Sequence, residues 1–177
     1  LTKATLLTAL AQTYLGLGMR QRAITLLEEA VQRRDEKLGR KHLDTLDSMN
    51  LLAEIYRVAG EHENAISLHE EILKLRREEL GPDHPDTLGV QTDLAVALSR
   101  QRKHAEAIAV YDRVLPALEE RLGPESRVVA GGLDNPANSL YAEGDFAEAE
   151  VAHRRALALF RVQPGEQSRP GAAGLTT

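Results

Sequence analysis

Apolar positions along this chain recur on two scales. Within short windows they follow helical spacing: Leu46, Met49, Leu52, Ala53 and Tyr56 make one stripe. Ala65, His69, Ile72, Leu73, Arg76 and Leu80 continue on a second stripe after Gly60. Over longer distances the pattern repeats itself. Ala11, Ala53, Ala95 and Ala137 lie 42 positions apart, as do Ala23, Ala65, Ala107 and Ala149. Gly18, Gly60 and Gly144 recur between them, with Arg102 in the third place, and Tyr14, Tyr56, Leu98 and Leu140 recur just before. In the third unit Leu88, Leu94, Ala95 and Leu98 renew the first stripe, and Ala107, Tyr111, Val114, Leu118 and Leu122 the second. Each unit therefore predicts two amphipathic helices flanking a turn. The glycine ends the first helix without steric penalty in the left-handed region, and the paired alanines allow close helix approach.

The segments between units carry their own punctuation. Leu80-Gly81-Pro82-Asp83-His84-Pro85-Asp86-Thr87-Leu88 is echoed by Leu38-Gly39 with Asp44-Thr45-Leu46, and by Leu122-Gly123-Pro124. Glycine stops one helix and proline forbids its continuation. Asp44 and Asp86 are expected as N-caps of the following helices, with Asp47 completing a capping box of sorts after Asp44. A helix pair cannot bury its stripe alone, so units must stack, and about three or more are needed for stability. The predicted fold is all-α, a solenoid of four tandem helix-turn-helix units at about 1–42, 43–84, 85–126 and 127–162. Residues 163–177, with Pro, Gly and Ser and no period, are expected to form a disordered tail.

The motifs LGPDHPDTL at 80–88, DLA at 93–95, EA at 106–107 and EHENA at 61–65 resemble the tetratricopeptide repeat, in the longer variety of kinesin light chains and many bacterial signalling proteins. The resemblance covers residues 1 to about 161. It implies a right-handed superhelix whose concave groove, lined by the first helix of each unit, holds a protein or peptide. The fourth unit departs from the pattern. Pro136 stands where Leu10, Leu52 and Leu94 stand, behind Gly131-Gly132. Proline within a helix costs about 3 kcal/mol, so a truncated or kinked first helix is predicted there, capped by Asp134 or Asn135 with Pro136 as its first residue. Pro116 is expected to bend the second helix of unit three.

Composition narrows the function. The chain of 177 residues is 42% hydrophobic and 28% charged, with 3% aromatic residues, no Trp and a net charge of −5. That balance argues against nucleic-acid binding, which uses basic stripes or aromatic platforms. Basic clusters at Arg33, Arg34, Lys37, Arg40 and Lys41, and at Arg100, Arg102 and Lys103, read as solvated helix ends. Without Cys, no disulfide or thiolate metal site can form. No apolar run reaches the length of a membrane span and no leader opens the chain. A cytoplasmic location is expected. Leu1 falls inside a repeat, which suggests an excerpt from a larger protein.

Candidate chemistry is absorbed by the repeat. Glu28-Glu29, Glu70-Glu71, Glu78-Glu79 and Glu119-Glu120 are adjacent pairs whose side chains diverge on a helix, and Glu28, Glu70 and Asp112 share one register position. Histidines 42 and 84, 62 and 104, and 69 and 153 pair by register, and none has a second histidine at zinc-ligand spacing. The Gly16-Leu17-Gly18 segment ends a helix and cradles no phosphate, and no serine sits in a nucleophile elbow. No enzyme activity, metal or cofactor is expected.

The remaining candidate is the groove face of the first helices: Thr8, Gln12 and Leu15; Asp47, Asn50, Glu54 and Arg57; Thr92, Val96 and Ser99; Asp134, Asn138 and Tyr141. Such Asn and Gln side chains can pair with the backbone of an extended peptide. The cations by which some tetratricopeptide proteins clamp a terminal carboxylate are absent apart from Arg57. Three functions are open: a scaffold binding a peptide or protein in the groove, a regulatory region of a larger signalling enzyme such as a protein kinase or nucleotide-hydrolysing switch, and a self-association module acting through exposed solenoid ends.

Overall fold

The computed structural model describes residues 2–162; the expected tail at 163–177 lies outside them. Among the described residues the chain forms eight helices and no strand: α1 (Thr2–Gly16), α2 (Arg20–Leu38), α3 (Leu43–Ala59), α4 (His62–Leu80), α5 (Pro85–Arg100), α6 (His104–Leu122), α7 (Arg127–Glu143) and α8 (Phe146–Val162). Each helix packs chiefly on its neighbours in sequence, and α3, α5 and α7 also touch in series. The result is an all-α solenoid, two helices per repeat.

The recurring alanines sit at the contacts. Ala11, Ala53, Ala95, Ala137, Ala23, Ala65 and Ala107 have no exposed surface. One continuous core joins the first three pairs through Leu27, Leu46, Met49, Ile55, Ile72, Leu94 and Tyr111. A second, around Val114, Leu118, Val129 and Leu133, fastens the fourth pair.

Turn chemistry follows the period. Gly60 and Gly144 close α3 and α7 in the left-handed region, at φ 85° and 97°. Arg102 takes the same role with φ 66°, a conformation that β-carbon sterics disfavour by about 1–2 kcal/mol.

Two expectations are corrected at the helix starts. The N-caps of α3 and α5 are His42 and His84, whose Nδ1 atoms accept hydrogen bonds from the Asp44 and Asp86 amides at 3.1 and 3.2 Å. Asp44 and Asp86 belong to the first helical turns, where their charge faces the positive end of the dipole. In the fourth unit α7 is not truncated. Its cap is Ser126, at the register of His42 and His84, accepting from Val128 N at 3.2 Å. Asp134 and Asn135 are helix interior and cap nothing.

Pro136 thus lies inside an unbroken helix, buried at its solenoid position. Its missing N–H deprives the Gly132 carbonyl of a donor. The neighbouring turn holds an added bond, Asn138 Nδ2 donating to the Asp134 carbonyl at 2.9 Å. Pro116 is likewise inside α6, which runs to Leu122.

Candidate functional site

The first-helix residues singled out from the sequence do not form one uniform surface. They fall into three groups, with Gln12 exposed and Leu15 half-buried at the first unit.

The first group lies where α1, α2 and α3 meet. Arg34 from α2 donates to Thr8 Oγ1 at 3.0 Å and to Ser48 Oγ. Thr8 and Asp47 line a cavity of about 260 Å³ beside Arg34 and Leu51. Asp47 is also held by Arg76 Nη2 at 2.7 Å, while Arg76 Nη1 reaches Asp86 on α5 at 3.1 Å. Arg76 therefore ties two first helices together from a buried position on α4.

The second group joins α3 to α5. Asn50 Nδ2 donates to Asp93 at 3.4 Å, and the Asn50 Oδ1 atom is buried without a partner. Arg57 pairs with Glu54, and that bond raises its pKa. Beneath them is His69, fully buried with neither ring nitrogen partnered. Burial lowers its pKa from 6.5 to about 4, opposed by Glu54 and reinforced by Arg57. Asp93 is shifted upward, first by burial and then by Glu54, against the Asn50 hydrogen bond and the charges of Arg57 and Arg76. Thr92, half-buried, turns its hydroxyl to the Leu88 carbonyl at 3.1 Å.

The third group surrounds a larger cavity than the first does. Val96, Ser99 and Asn138 line a cavity of about 410 Å³ together with Arg100, His104, Tyr111 and Asn135. Ser99 and Ser139 hydroxyls meet across α5 and α7 at 2.9 Å. The Tyr111 hydroxyl and His104 Nδ1 are buried without partners, and burial, then the Asp93 charge, pushes the Tyr111 pKa upward. Asp134 pairs instead with His153 at 3.0 Å, and Tyr141 stacks edge-on against Phe146 with ring centroids 5.0 Å apart, both rings exposed.

Four residues of the cavity, Arg100, His104, Tyr111 and Asn135, were not among the groove candidates. Arg100 reads in sequence as part of a basic helix end, Tyr111 as core and Asn135 as a cap. The 42-residue equivalence pairs His104 with His62 and Tyr111 with His69, but it carries no signal that brings these side chains to one cavity. Among the described residues no group of three or more His, Asp or Glu side chains is placed to hold a metal ion. No helix among them is long and apolar enough to cross a membrane.

This architecture is that of a tetratricopeptide protein. The tetratricopeptide repeat family model matches residues 2–63 and 45–120, which together make up more than half of the chain, and the chain belongs to that family. Kinesin light chain-like repeat proteins are among its solved structural relatives. A Podosopora anserina protein with nearly identical TPR-like repeats, provisionally assigned as a kinesin light chain, superposes with a TM-score of 0.75 at 25% identity, over 89% of this chain and 74% of that one. BtubC (BKLC) from P. vanneervenii gives 0.79 at 26% identity, over 93% of this chain and 65% of its own. Aspartyl phosphate phosphatase F from Bacillus subtilis shares the fold alone, with a TM-score of 0.74 at 16% identity, over 90% of this chain and 40% of that one. Among curated proteins, none matches the sequence. The tetratricopeptide fold is generally a non-catalytic scaffold for protein partners.

Proposed function

We propose that this chain is a non-catalytic scaffold, working in the cytoplasm, that holds an extended segment of a protein partner along the face built by its first helices. The observation that carries this reading is the 410 Å³ cavity between α5, α6 and α7. It is lined by Val96 for apolar contact and by the amides of Asn135 and Asn138, which can both donate and accept. An extended peptide offers alternating backbone donors and acceptors, the chemistry that amide side chains match with little demand on sequence. The polar lining and the absence of an assembled acid-base pair in the cavity favour holding over chemistry.

The test uses a display library of short random peptides panned against the chain, with affinities of the selected peptides measured by fluorescence anisotropy. Asn135→Ala with Asn138→Ala is expected to weaken binding at least tenfold, with helical circular dichroism unchanged. The exposed-surface control Glu36→Ala is expected to bind as the unaltered chain does. An absence of enriched peptides, or equal affinity in the double variant, would overturn the groove reading.

A further inference from the structure

The two outermost described helices each leave open a face that their register equivalents bury. On α1, Leu6 and Leu10 are 65% and 45% exposed. At Leu6's register stand Ser48, Val90 and Gly132, and at Leu10's stand Leu52, Leu94 and Pro136, every one of them buried. On α8, Leu157 and Phe160 are 53% and 43% exposed. Val31, Leu73 and Leu115 occupy the first of those positions and Arg34, Arg76 and Leu118 the second, and all are buried or half-buried. His153 follows the same rule, half-open where Leu27, His69 and Tyr111 are closed.

Contacts within the molecule show what these positions face. Arg34 on α2 bonds to Ser48 on α3. A β-carbon built on Gly132 of α7 would stand 2.8 Å from Leu115 Cδ2 of α6. Both contacts join the Leu157 or Phe160 register of one unit to the Leu6 register of the next. The open strip on α8 and the open strip on α1 are therefore the two halves of one interface that the solenoid has already built three times.

We propose that a second copy of this chain docks head to tail, the α1 face of one molecule on the α8 face of another, with Leu6 seated against Leu157 and Phe160. The docked face is the C-terminal half of α8. In its N-terminal half Glu150 replaces Ile24, Ile66 and Ile108 and forms an exposed ion pair with Arg154 at 2.7 Å. Leucine on leucine is bulkier than Leu73 on Val90 or Val31 on Ser48, and the open ends give the two helices freedom to settle at a slightly wider spacing. Such a contact is heterologous: it leaves one α1 face and one α8 face free, so it propagates rather than closing at two.

The test is sedimentation of the 177-residue chain over a wide concentration range. The unaltered chain is expected to rise from the 19.4 kDa monomer through successive multiples. Leu6→Glu with Leu10→Glu, and separately Leu157→Glu with Phe160→Glu, are each expected to stay monomeric with unchanged helicity. An equimolar mixture of the two variants is expected to form dimers and nothing larger, since each supplies the face the other retains. A chain that stays at 19.4 kDa at every concentration would overturn the proposal and leave those faces to a further repeat or another protein. A dimer persisting in either double variant would overturn it too, in favour of a symmetric contact.

Discussion

The junction between α4 and α5 and the junction between α6 and α7 are the same joint made from opposite materials. At the first, buried Arg76 reaches Asp47 and Asp86, and Arg77 donates to Gln91 at 3.0 Å. At the second, Leu118 occupies the register of Arg76 and packs with Val114, Val129 and Leu133. The residues at the registers of Asp47 and Asp86 are there Gly89 and Val128, neither able to accept a charge. The solenoid geometry is indifferent to whether a unit is fastened by ions or by aliphatic packing, provided that each position finds the partner its chemistry requires. The inner face is not indifferent. Beside the ionic joint, Asn50 engages Asp93 and Glu54 engages Arg57, whereas beside the aliphatic joint two polar atoms of the 410 Å³ cavity lining, the Tyr111 hydroxyl and His104 Nδ1, are buried without internal partners.

The comparison breaks most sharply at Leu118. Leu118→Arg places a guanidinium where no carboxylate waits, and is expected to destabilise the fourth unit by roughly 3–5 kcal/mol, the usual penalty for an unpaired buried charge. The reciprocal change, Arg76→Leu, leaves two exposed carboxylates to water and supplies the side chain that the other joint already accepts. It is expected to alter stability by less than about 1 kcal/mol. Urea denaturation of both variants, followed by helical circular dichroism, measures the difference.

Acid should loosen the ionic region in particular. His69 has a folded pKa of about 4 against 6.5 in the open chain. The unfolded chain thus takes up the proton first, and stability present above pH 6.5 is lost as pH falls toward 4, by about 3 kcal/mol in all. Asp93 works in the opposite sense. Its raised pKa gives a contribution present at low pH and lost as pH rises through the folded value. The His69 part is therefore read as the difference between the unaltered chain and His69→Leu, the residue found at position 27. That difference should stop changing with pH above about pH 7 and shift progressively below it.

A smaller effect than that of His69 is expected at the turn between the joints. Arg102→Gly relieves a positive φ that glycine bears at 18, 60 and 144 and should stabilise the third unit by about 1 kcal/mol. A raised denaturation midpoint with unchanged helicity is the expected readout.

The period, the helix pairs and the glycine stops were all legible in the sequence, because each depends on spacing within or between neighbouring turns. Cap identity was misread where residue-type preference was allowed to outrank register. Asp is the commoner cap, yet positions 42, 84 and 126 share one register and hold His, His and Ser, each with a lone pair to offer. Pro136 misled for a related reason. An isolated helix would end there, but burial against the third unit on one side and α8 on the other holds α7 unbroken across it. Of the inner face, Val96, Ser99 and Asn138 were placed from the first-helix pattern alone. Arg100, His104, Tyr111 and Asn135 were not: His104 and Tyr111 come from the second helix α6, and Arg100 and Asn135 from positions of α5 and α7 off the chosen face, so their approach is a property of stacking rather than of any local pattern.

Contacts confined largely to adjacent helices make this molecule a one-dimensional lattice. Each unit's persistence then depends on its own stability and on two neighbours, so opening travels inward from the ends and the middle repeats are the last to release their amide hydrogens. A partner lying across two units adds a bond to that lattice. Occupancy would accordingly register as stiffness: slower hydrogen exchange on both sides of the occupied joint, and a higher force needed to pull the solenoid apart there.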